Sequence, residues 1–192
     1  MTNKLLLFSF RVILSTIFVF TLSACSSDNT KEYSQESAQQ VFNNLKGTYQ
    51  GPVLIDNIPQ TVAITIGNDF SVKRLPLSPI LKKIFTDENQ LKEALSSTND
   101  ITFTAKIQNI QITTLNALLT METTDFIFKV KVGGKDYQVN SLIKSEVYQI
   151  NDNTISVNIE VKELSCEGMV YDLTKNPITY NIDLASRLDN YN

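Results

Sequence analysis

Residues 126–139, which read FIFKVKVGGKDYQV, decide the fold of this chain. Apolar side chains occupy every second position before Gly133-Gly134, and again at Tyr137 and Val139 after it. A period of two is typical of β-strands with one buried face. A glycine pair between two such runs favours a two-residue turn, because glycine adopts positive φ without strain. The stretch therefore predicts an antiparallel β-hairpin.

The same alternation extends over most of the chain in both directions. It runs through residues 61–66 and 101–112 upstream, and through residues 147–161 and 178–184 downstream. Within 101–112 the apolar positions change parity, which predicts a bulge or bend near Gln108-Asn109. Strands that are joined by tight turns must pair antiparallel. The alternate positions carry Thr, Lys, Gln, Asn and Glu, so each sheet has one face in water. We expect a mainly β domain over residues 34–192, either an antiparallel β-sandwich or a barrel-like meander.

An N-terminal helix is predicted before the first strand. Its apolar side chains follow the spacing i, i+3, i+4 and i+7 that forms one stripe on a helix: Ala38, Val41, Phe42 and Leu45. Ser34 offers an N-terminal cap, because its hydroxyl accepts a bond from a free backbone N–H group. Gly47 is expected to end the helix in the left-handed conformation, which costs glycine little.

A short helical insertion is predicted over residues 78–97, between the early and the late strands. Ser78 is expected to cap its first helix, with Pro79 at the first helical position. A second helix is expected to start near Asp87. Each has an apolar stripe and a polar face, so we expect the pair to cover a face of the β structure or plug one of its ends.

The N-terminus has the pattern of a bacterial lipoprotein signal. Residues 1–24 combine positive charge at Lys4 and Arg11 with an apolar run and small residues before Cys25. Counted from Arg11, the apolar run is shorter than the roughly 20 residues that a membrane-spanning helix needs. The sequence Leu-Ser-Ala-Cys at positions 22–25 resembles the lipoprotein processing box, in which the cysteine thiol receives a diacylglyceryl group and becomes the mature N-terminus.

This pattern predicts a signal peptide over residues 1–24, lipidation of Cys25 and a flexible polar tether over residues 25–33. Two or three acyl chains are enough to hold a protein stably on a bilayer, so the membrane is the first expected partner. Ser26, not Asp, follows the cysteine, which in the lipoproteins that this one resembles leads to the outer membrane of a Gram-negative bacterium. The sequence does not decide between the periplasmic side of that membrane and the cell surface.

Composition excludes several classes of function. The formal net charge is −3, and loss of the two basic side chains of the leader would make it −5, so we expect no nucleic-acid partner. The sequence has no histidine, which excludes Ser-His-Asp and Cys-His catalysis and His-ligated zinc. Once Cys25 is lipidated, Cys166 stands alone and forms no internal disulfide. Because Cys166 ends an alternating strand, we expect its thiol to be buried and unreactive. We also expect that the protein binds no metal and no cofactor.

Two remaining patterns are compatible with catalysis, and both have simpler explanations. Glu122 and Asp125 lie three residues apart before a predicted strand. Paired carboxylates are what glycoside hydrolysis needs, but this spacing is common in loops. Ser141 and Lys144 match the Ser-x-x-Lys pattern of a serine nucleophile, but residues three apart on a strand face opposite sides. We therefore expect no catalytic residues and no enzyme, and a carboxylate hydrolase is the least favoured hypothesis.

Residues 45–51, which read LKGTYQG, join the predicted helix to the first strand. Together with the leader and the total length, this segment resembles the small uncharacterised lipoproteins of gut Bacteroidetes, a family of about 200 residues. Some members of that group have calycin-like β-barrels, so the resemblance implies a fold of that kind. The motif itself is structural, since glycine relieves crowding where a helix meets a strand. It implies no catalytic residue.

We interpret the chain as a cell-envelope lipoprotein that serves as a non-enzymatic binding or structural accessory, with an envelope protein as its partner. The alternative hypothesis is a calycin-like carrier of a small apolar ligand. In that case the ligand-binding side chains would be Phe103, Phe126, Phe128 and Tyr137, facing an internal cavity. A cavity would favour the carrier, whereas a solidly filled interior would exclude it.

Overall fold

A computed structural model describes residues 35–98, 101–112 and 117–188 of the chain. The expected signal peptide, the lipidation of Cys25 and the tether over residues 25–33 lie outside the described residues, so these predictions stay predictions. Within the part of the chain that is described, no helix is long and apolar enough to cross a membrane.

The described chain is mainly β, as its alternating pattern predicts. Three short helices and ten strands follow one another in the order α1 (Gln35–Leu45), β1 (Gly47–Ile55), β2 (Ile58–Ile66), β3 (Asp69–Lys73), α2 (Ser78–Ile84), α3 (Glu88–Ser96), β4 (Thr102–Ile112), β5 (Ala117–Met121), β6 (Thr124–Val132), β7 (Lys135–Asn151), β8 (Thr154–Cys166), β9 (Met169–Val170) and β10 (Ile178–Arg187). The predicted hairpin over residues 126–139 is the β6–β7 pair, and its turn is formed by two glycines with positive φ.

Eight of the strands close into an antiparallel barrel. They follow the order β7-β5-β4-β3-β2-β1-β10-β8, and β8 pairs again with β7. Of the two architectures that the sequence allows, the barrel is the one that forms. Closure leaves the wall without a free edge, which is how antiparallel sheets avoid pairing with other chains. The 17 residues of β7 make this possible, because that strand pairs with β8 on one side and with both β5 and β6 on the other.

The outer edge of β6 is covered by helix α3 and the residue that follows it. The backbone N–H of Lys131 donates to the Ser97 hydroxyl at 2.9 Å. The backbone N–H of Gly133 donates to Glu93 Oε2 at 3.0 Å. An edge strand normally offers such groups to another chain, so these side chains protect the edge.

The helical insertion packs on the hydrophobic core of the barrel, as predicted. Ile80 and Leu81 of α2 and Ala94 of α3 are fully buried in that core. The Tyr180 hydroxyl of β10 donates to the backbone carbonyl of Pro76 at 2.9 Å. This buried bond ties the barrel wall to the segment that leads into α2.

The two helices of the insertion start in different ways. Helix α2 begins at Ser78 itself, with Leu77 as the N-cap and no side-chain cap bond, so the predicted cap by Ser78 is wrong. Leu77 is buried, which shows that packing sets this helix start. Helix α3 follows Asp87, as expected. The Asp87 carboxylate accepts bonds of 3.0 Å from the backbone N–H groups of Asn89 and Gln90.

Helix α1 is fixed to the last strand at its C-terminal end. The guanidinium of Arg187 in β10 donates to the backbone carbonyl of Asn44 at 2.8 Å and to that of Lys46. The Tyr49 hydroxyl donates to the backbone carbonyl of Leu45 at 2.8 Å. The last carbonyl groups of a helix have no partner within the helix, and these side chains supply one.

Gly47 has a different role from the one that the sequence predicts. It lies in β1 and is not left-handed, so the predicted left-handed helix stop is wrong. A Cβ atom added to Gly47 would come 2.8 Å from Nε of Arg187, so any side chain here would displace the guanidinium. Glycine at this position therefore leaves room for the arginine that holds α1.

Candidate functional site

Three of the four aromatic residues predicted to bind a ligand lie together inside the barrel. The ring of Phe126 contacts that of Phe103 edge to face at 5.7 Å and that of Phe128 at 5.1 Å. All three side chains are buried. The fourth, Tyr137, is partly buried and contacts Phe85 at the end of α2 at 5.6 Å instead. The structure thus places Phe103, Phe126 and Phe128 in one cluster and Tyr137 in a different contact.

Two serines of β7 also face the interior, and sequence reasoning missed both of them as interior groups. Ser141 lies between Phe126 and Leu164 in the register, and Ser145 lies opposite Ile159. Both hydroxyls are buried, and neither has a hydrogen-bond partner. A buried polar group without a partner costs roughly 1–3 kcal/mol, so two of them in one barrel are unusual.

A row of polar side chains crosses the outer surface of five neighbouring strands. The antiparallel registers place directly opposite one another, in order, Asn109 of β4, Thr120 of β5, Glu146 of β7, Asn158 of β8 and Asn181 of β10. Neighbouring strands lie about 4.8 Å apart, so the row is about 19 Å long. We refer to these five residues together with Tyr148, which lies beside them, as the polar face.

Tyr148 is the aromatic member of the polar face. It is 40% exposed and lies near the C-terminal end of the long strand β7. Across the sheet it pairs with Ser156, whose hydroxyl donates to Asp183 at 3.0 Å. A half-exposed tyrosine offers a flat apolar ring next to polar groups, which suits it to binding.

Glu146, at the centre of the row, is held in place by two neighbours. The Tyr148 hydroxyl donates to Glu146 Oε2 at 2.7 Å, and Lys144 Nζ lies 2.9 Å from Oε1. These bonds, the one from Tyr148 first, lower the pKa of Glu146 below its ordinary value. In return, the hydrogen bond that each makes with Glu146 raises the pKa values of Lys144 and Tyr148. Glu146 is therefore ionised near neutral pH and has a fixed orientation.

The amide of Asn158 is incompletely paired. Its Oδ1 atom is buried and accepts no hydrogen bond. Asn158 lies between Glu146 of β7 and Asn181 of β10 in the register, which explains why neighbouring side chains cover it. An amide oxygen normally accepts one or two bonds, so this atom is left without its usual partner, and its burial keeps it out of contact with a ligand.

An open groove of about 280 Å³ lies beside the polar face. It is lined by side chains of β8 and of the segment before β10: Glu160, Val161, Lys162, Leu173, Thr174 and Pro177. Glu160 and Lys162 form an ion pair of 2.6 Å at its border. Glu160 also lies opposite Lys144, so the groove continues the outer surface that carries Glu146.

The residues with potential for catalysis are not assembled into a reactive group. Cys166 is buried, and burial, followed by the nearby charge of Glu167, raises the pKa of its thiol, as expected for an unreactive cysteine. Ser141 faces inward and Lys144 outward, as predicted for a strand. Glu122 and Asp125 are both exposed. Among the described residues, no group of three metal-ligating side chains comes together.

Comparison with known proteins identifies a family. No curated protein and no solved structure matches the chain. Residues 44–182 match the model of a domain of unknown function, DUF4840. That range runs from the end of α1 to the middle of β10, and so includes the whole polar face. Because the match covers most of the chain, the protein belongs to the DUF4840 family.

Proposed function

We propose that this protein is a lipid-anchored protein of the cell envelope whose barrel binds a polar partner or ligand without converting it chemically. The observation that carries the binding role is the polar face on the barrel wall. There, Glu146 is oriented by two bonds, and Tyr148, which supplies one of them, stays 40% exposed. Such preorganised groups favour a ligand, because little conformational freedom is lost when it binds.

A binding role is also supported by the chemistry of the charged groups. The sequence has no histidine to act as a base near neutral pH. The carboxylate of Glu146 has a lowered pKa, whereas a general acid needs a raised one. Its nearest charged partner is Lys144, and no second carboxylate pairs with it in the described contacts. This arrangement orients a ligand and is poorly suited to transferring a proton.

The anchor is supported by the Leu-Ser-Ala-Cys sequence at positions 22–25. Acyl chains on Cys25 would hold the protein on the outer membrane, on its periplasmic or its cell-surface side. The described chain starts with α1, which Arg187 fastens to the end of β10. The tether would join the other, N-terminal end of that helix, at Gln35.

The anchor is tested by replacing Cys25 with Ser in the full chain and fractionating the cells. We expect the wild type in the membrane fraction, and an acylated N-terminal peptide by mass spectrometry. Cys25→Ser should lose both signals, and Ser26→Ala, next to it, should keep both. Equal membrane association of Cys25→Ser and the wild type, with no acylated peptide in either, would contradict the proposal.

The second candidate function is a carrier of a small ligand inside the barrel. It is favoured by the two buried hydroxyls of Ser141 and Ser145, which have no hydrogen-bond partner, and of which Ser141 lies opposite Phe126 of the aromatic cluster. A ligand with polar groups would satisfy them. Organic extraction of the purified protein should then release one compound in about a 1:1 ratio, since covalent acyl chains stay attached. Release of nothing beyond what a second purified lipoprotein releases would rule the carrier out.

A further inference from the structure

The polar face differs in chemistry from the outer surface on the other side of the barrel. Across β2, β3 and β4 the corresponding outward row is Thr65, Ser71 and Thr104. That row offers small hydroxyl groups only. The polar face instead offers three amides, a carboxylate and an exposed aromatic ring. Amides carry donors and acceptors together, so they recognise hydroxyl groups in either direction.

The charge of the polar face is small. Glu146 is the only charged residue in the row of five, and Lys144 lies 2.9 Å from it. A nucleic acid would need a basic surface, and an acidic ligand would need unpaired cations. A protein interface normally has an apolar centre, whereas the centre of this row is Glu146 and Asn158. The pattern therefore favours a ligand that is polar, neutral and rich in hydroxyl groups.

The Tyr148 ring supplies the apolar part of such a site. Its hydroxyl is bonded to Glu146, so the ring is held in one orientation while 40% of the side chain stays exposed. A fixed aromatic ring next to hydrogen-bonding groups suits a sugar ring, which has an apolar face and a polar edge. The row is about 19 Å long, enough for several sugar units.

We propose that the polar face binds a neutral oligosaccharide. Its sugar ring stacks on Tyr148, and its hydroxyl groups bond to Glu146 and to the exposed amide of Asn181. This inference rests on the proposed binding function and names the ligand class. The sugar-binding proposal is independent of the lipid anchor. The anchor is tested by acylation of Cys25 and by cell fractionation, whereas the sugar site is tested by ligand binding.

The test uses the mature lipoprotein, purified in mild detergent, on an array of immobilised oligosaccharides. We expect it to bind one group of neutral oligosaccharides. Calorimetry with the strongest of them should show about tenfold weaker binding for Tyr148→Ala and for Asn181→Ala. Tyr148→Phe keeps the ring, so it should stay within about threefold of the wild type.

Matched controls lie elsewhere on the barrel wall. Thr104→Ala, in the row across β2 to β4, and Ile127→Ala, a 57% exposed side chain on β6, should bind like the wild type. Urea unfolding checks that every variant is folded. Three results would overturn the proposal: no oligosaccharide bound, binding that Tyr148→Ala and Asn181→Ala leave unchanged, or binding of acidic sugars alone that salt abolishes.

Discussion

Gly51 of β1 and Ala185 of β10 meet so closely that a side chain on the glycine has no space. A Cβ atom added to Gly51 would lie 2.8 Å from both Cα and Cβ of Ala185. The contact lies next to a bulge in β10, where the register shifts between Ile182 and Ala185. Leu184, inside that bulge, has positive φ. The glycine lets the irregular part of β10 lie against β1, as bulges in barrels often require.

Gly51→Ala should therefore destabilise the protein. The added methyl group would push on backbone atoms of β10, and such overpacking costs about 2 kcal/mol of unfolding free energy. Urea denaturation followed by circular dichroism measures the loss. Gly67→Ala is the control, because its Cβ would meet nothing closer than 3.8 Å. Equal stability of the two variants would contradict this account of the contact.

Tyr180→Phe should lower the unfolding free energy by about 1–2 kcal/mol, since it leaves the buried carbonyl of Pro76 without its donor. Urea denaturation followed by circular dichroism measures this loss of stability. Tyr148→Phe, which removes a hydroxyl bonded to Glu146 at the surface, should cost less, about 0.5 kcal/mol. If Tyr180→Phe cost no more than Tyr148→Phe, the buried bond would have no special role in holding the insertion.

Removing the side chains that cover the edge of β6 should expose its backbone. The backbone N–H of Gly133 loses its acceptor in Glu93→Ala, and the backbone N–H of Lys131 loses its acceptor in Ser97→Ala. We expect each affected amide to exchange with solvent about tenfold faster in NMR hydrogen exchange. Glu88→Ala, an exposed residue of the same helix, should leave both rates unchanged. Unchanged rates in the first two variants would mean that other groups protect the edge.

Acid should weaken the fold partly through Glu146. Its folded-state pKa is lowered from the ordinary value of 4.5, chiefly by the bond from Tyr148 and then by that from Lys144. A lowered carboxyl pKa adds stability above the unfolded-state pKa, and this is lost as the pH falls through the folded-state pKa. In urea unfolding at a series of pH values below 4.5, Glu146→Gln should show a shallower loss than the wild type, and Tyr148→Phe an intermediate one. Parallel curves for all three would contradict the assignment.

Local sequence patterns predict most of the elements of this fold and little of how they assemble. The two-residue period and Gly133-Gly134 predict the β6–β7 hairpin, because strand alternation and turn chemistry are local properties. Closure of the barrel depends on two pairings, β7 with β8 and β1 with β10. The β1–β10 pairing joins strands from opposite ends of the described chain. Sandwich and barrel have the same alternation, so the sequence left them open.

The polar face was harder to predict than the core for a physical reason. Phe103, Phe126 and Phe128 are apolar and alternate, so a common interior position follows from their pattern. Asn109 and Asn181 are 72 positions apart and meet in one row only through four successive registers, with a shift between Ile107 and Asn109. The parity change near Gln108-Asn109 predicts that shift, but a slip of one residue in any of the other pairings would turn such side chains to the opposite face.

The bond from Arg187 to the end of α1 also bears on when the protein can fold. Arg187 is the last residue of β10, and its guanidinium binds the carbonyl groups of Asn44 and Lys46, near the start of the described chain. Until β10 has been delivered, β1 and β8 both keep an open edge. If the polypeptide crosses a membrane from its N-terminus onwards, the barrel therefore cannot close before β10 has crossed as well. Until then the chain would stay unfolded enough to be exported.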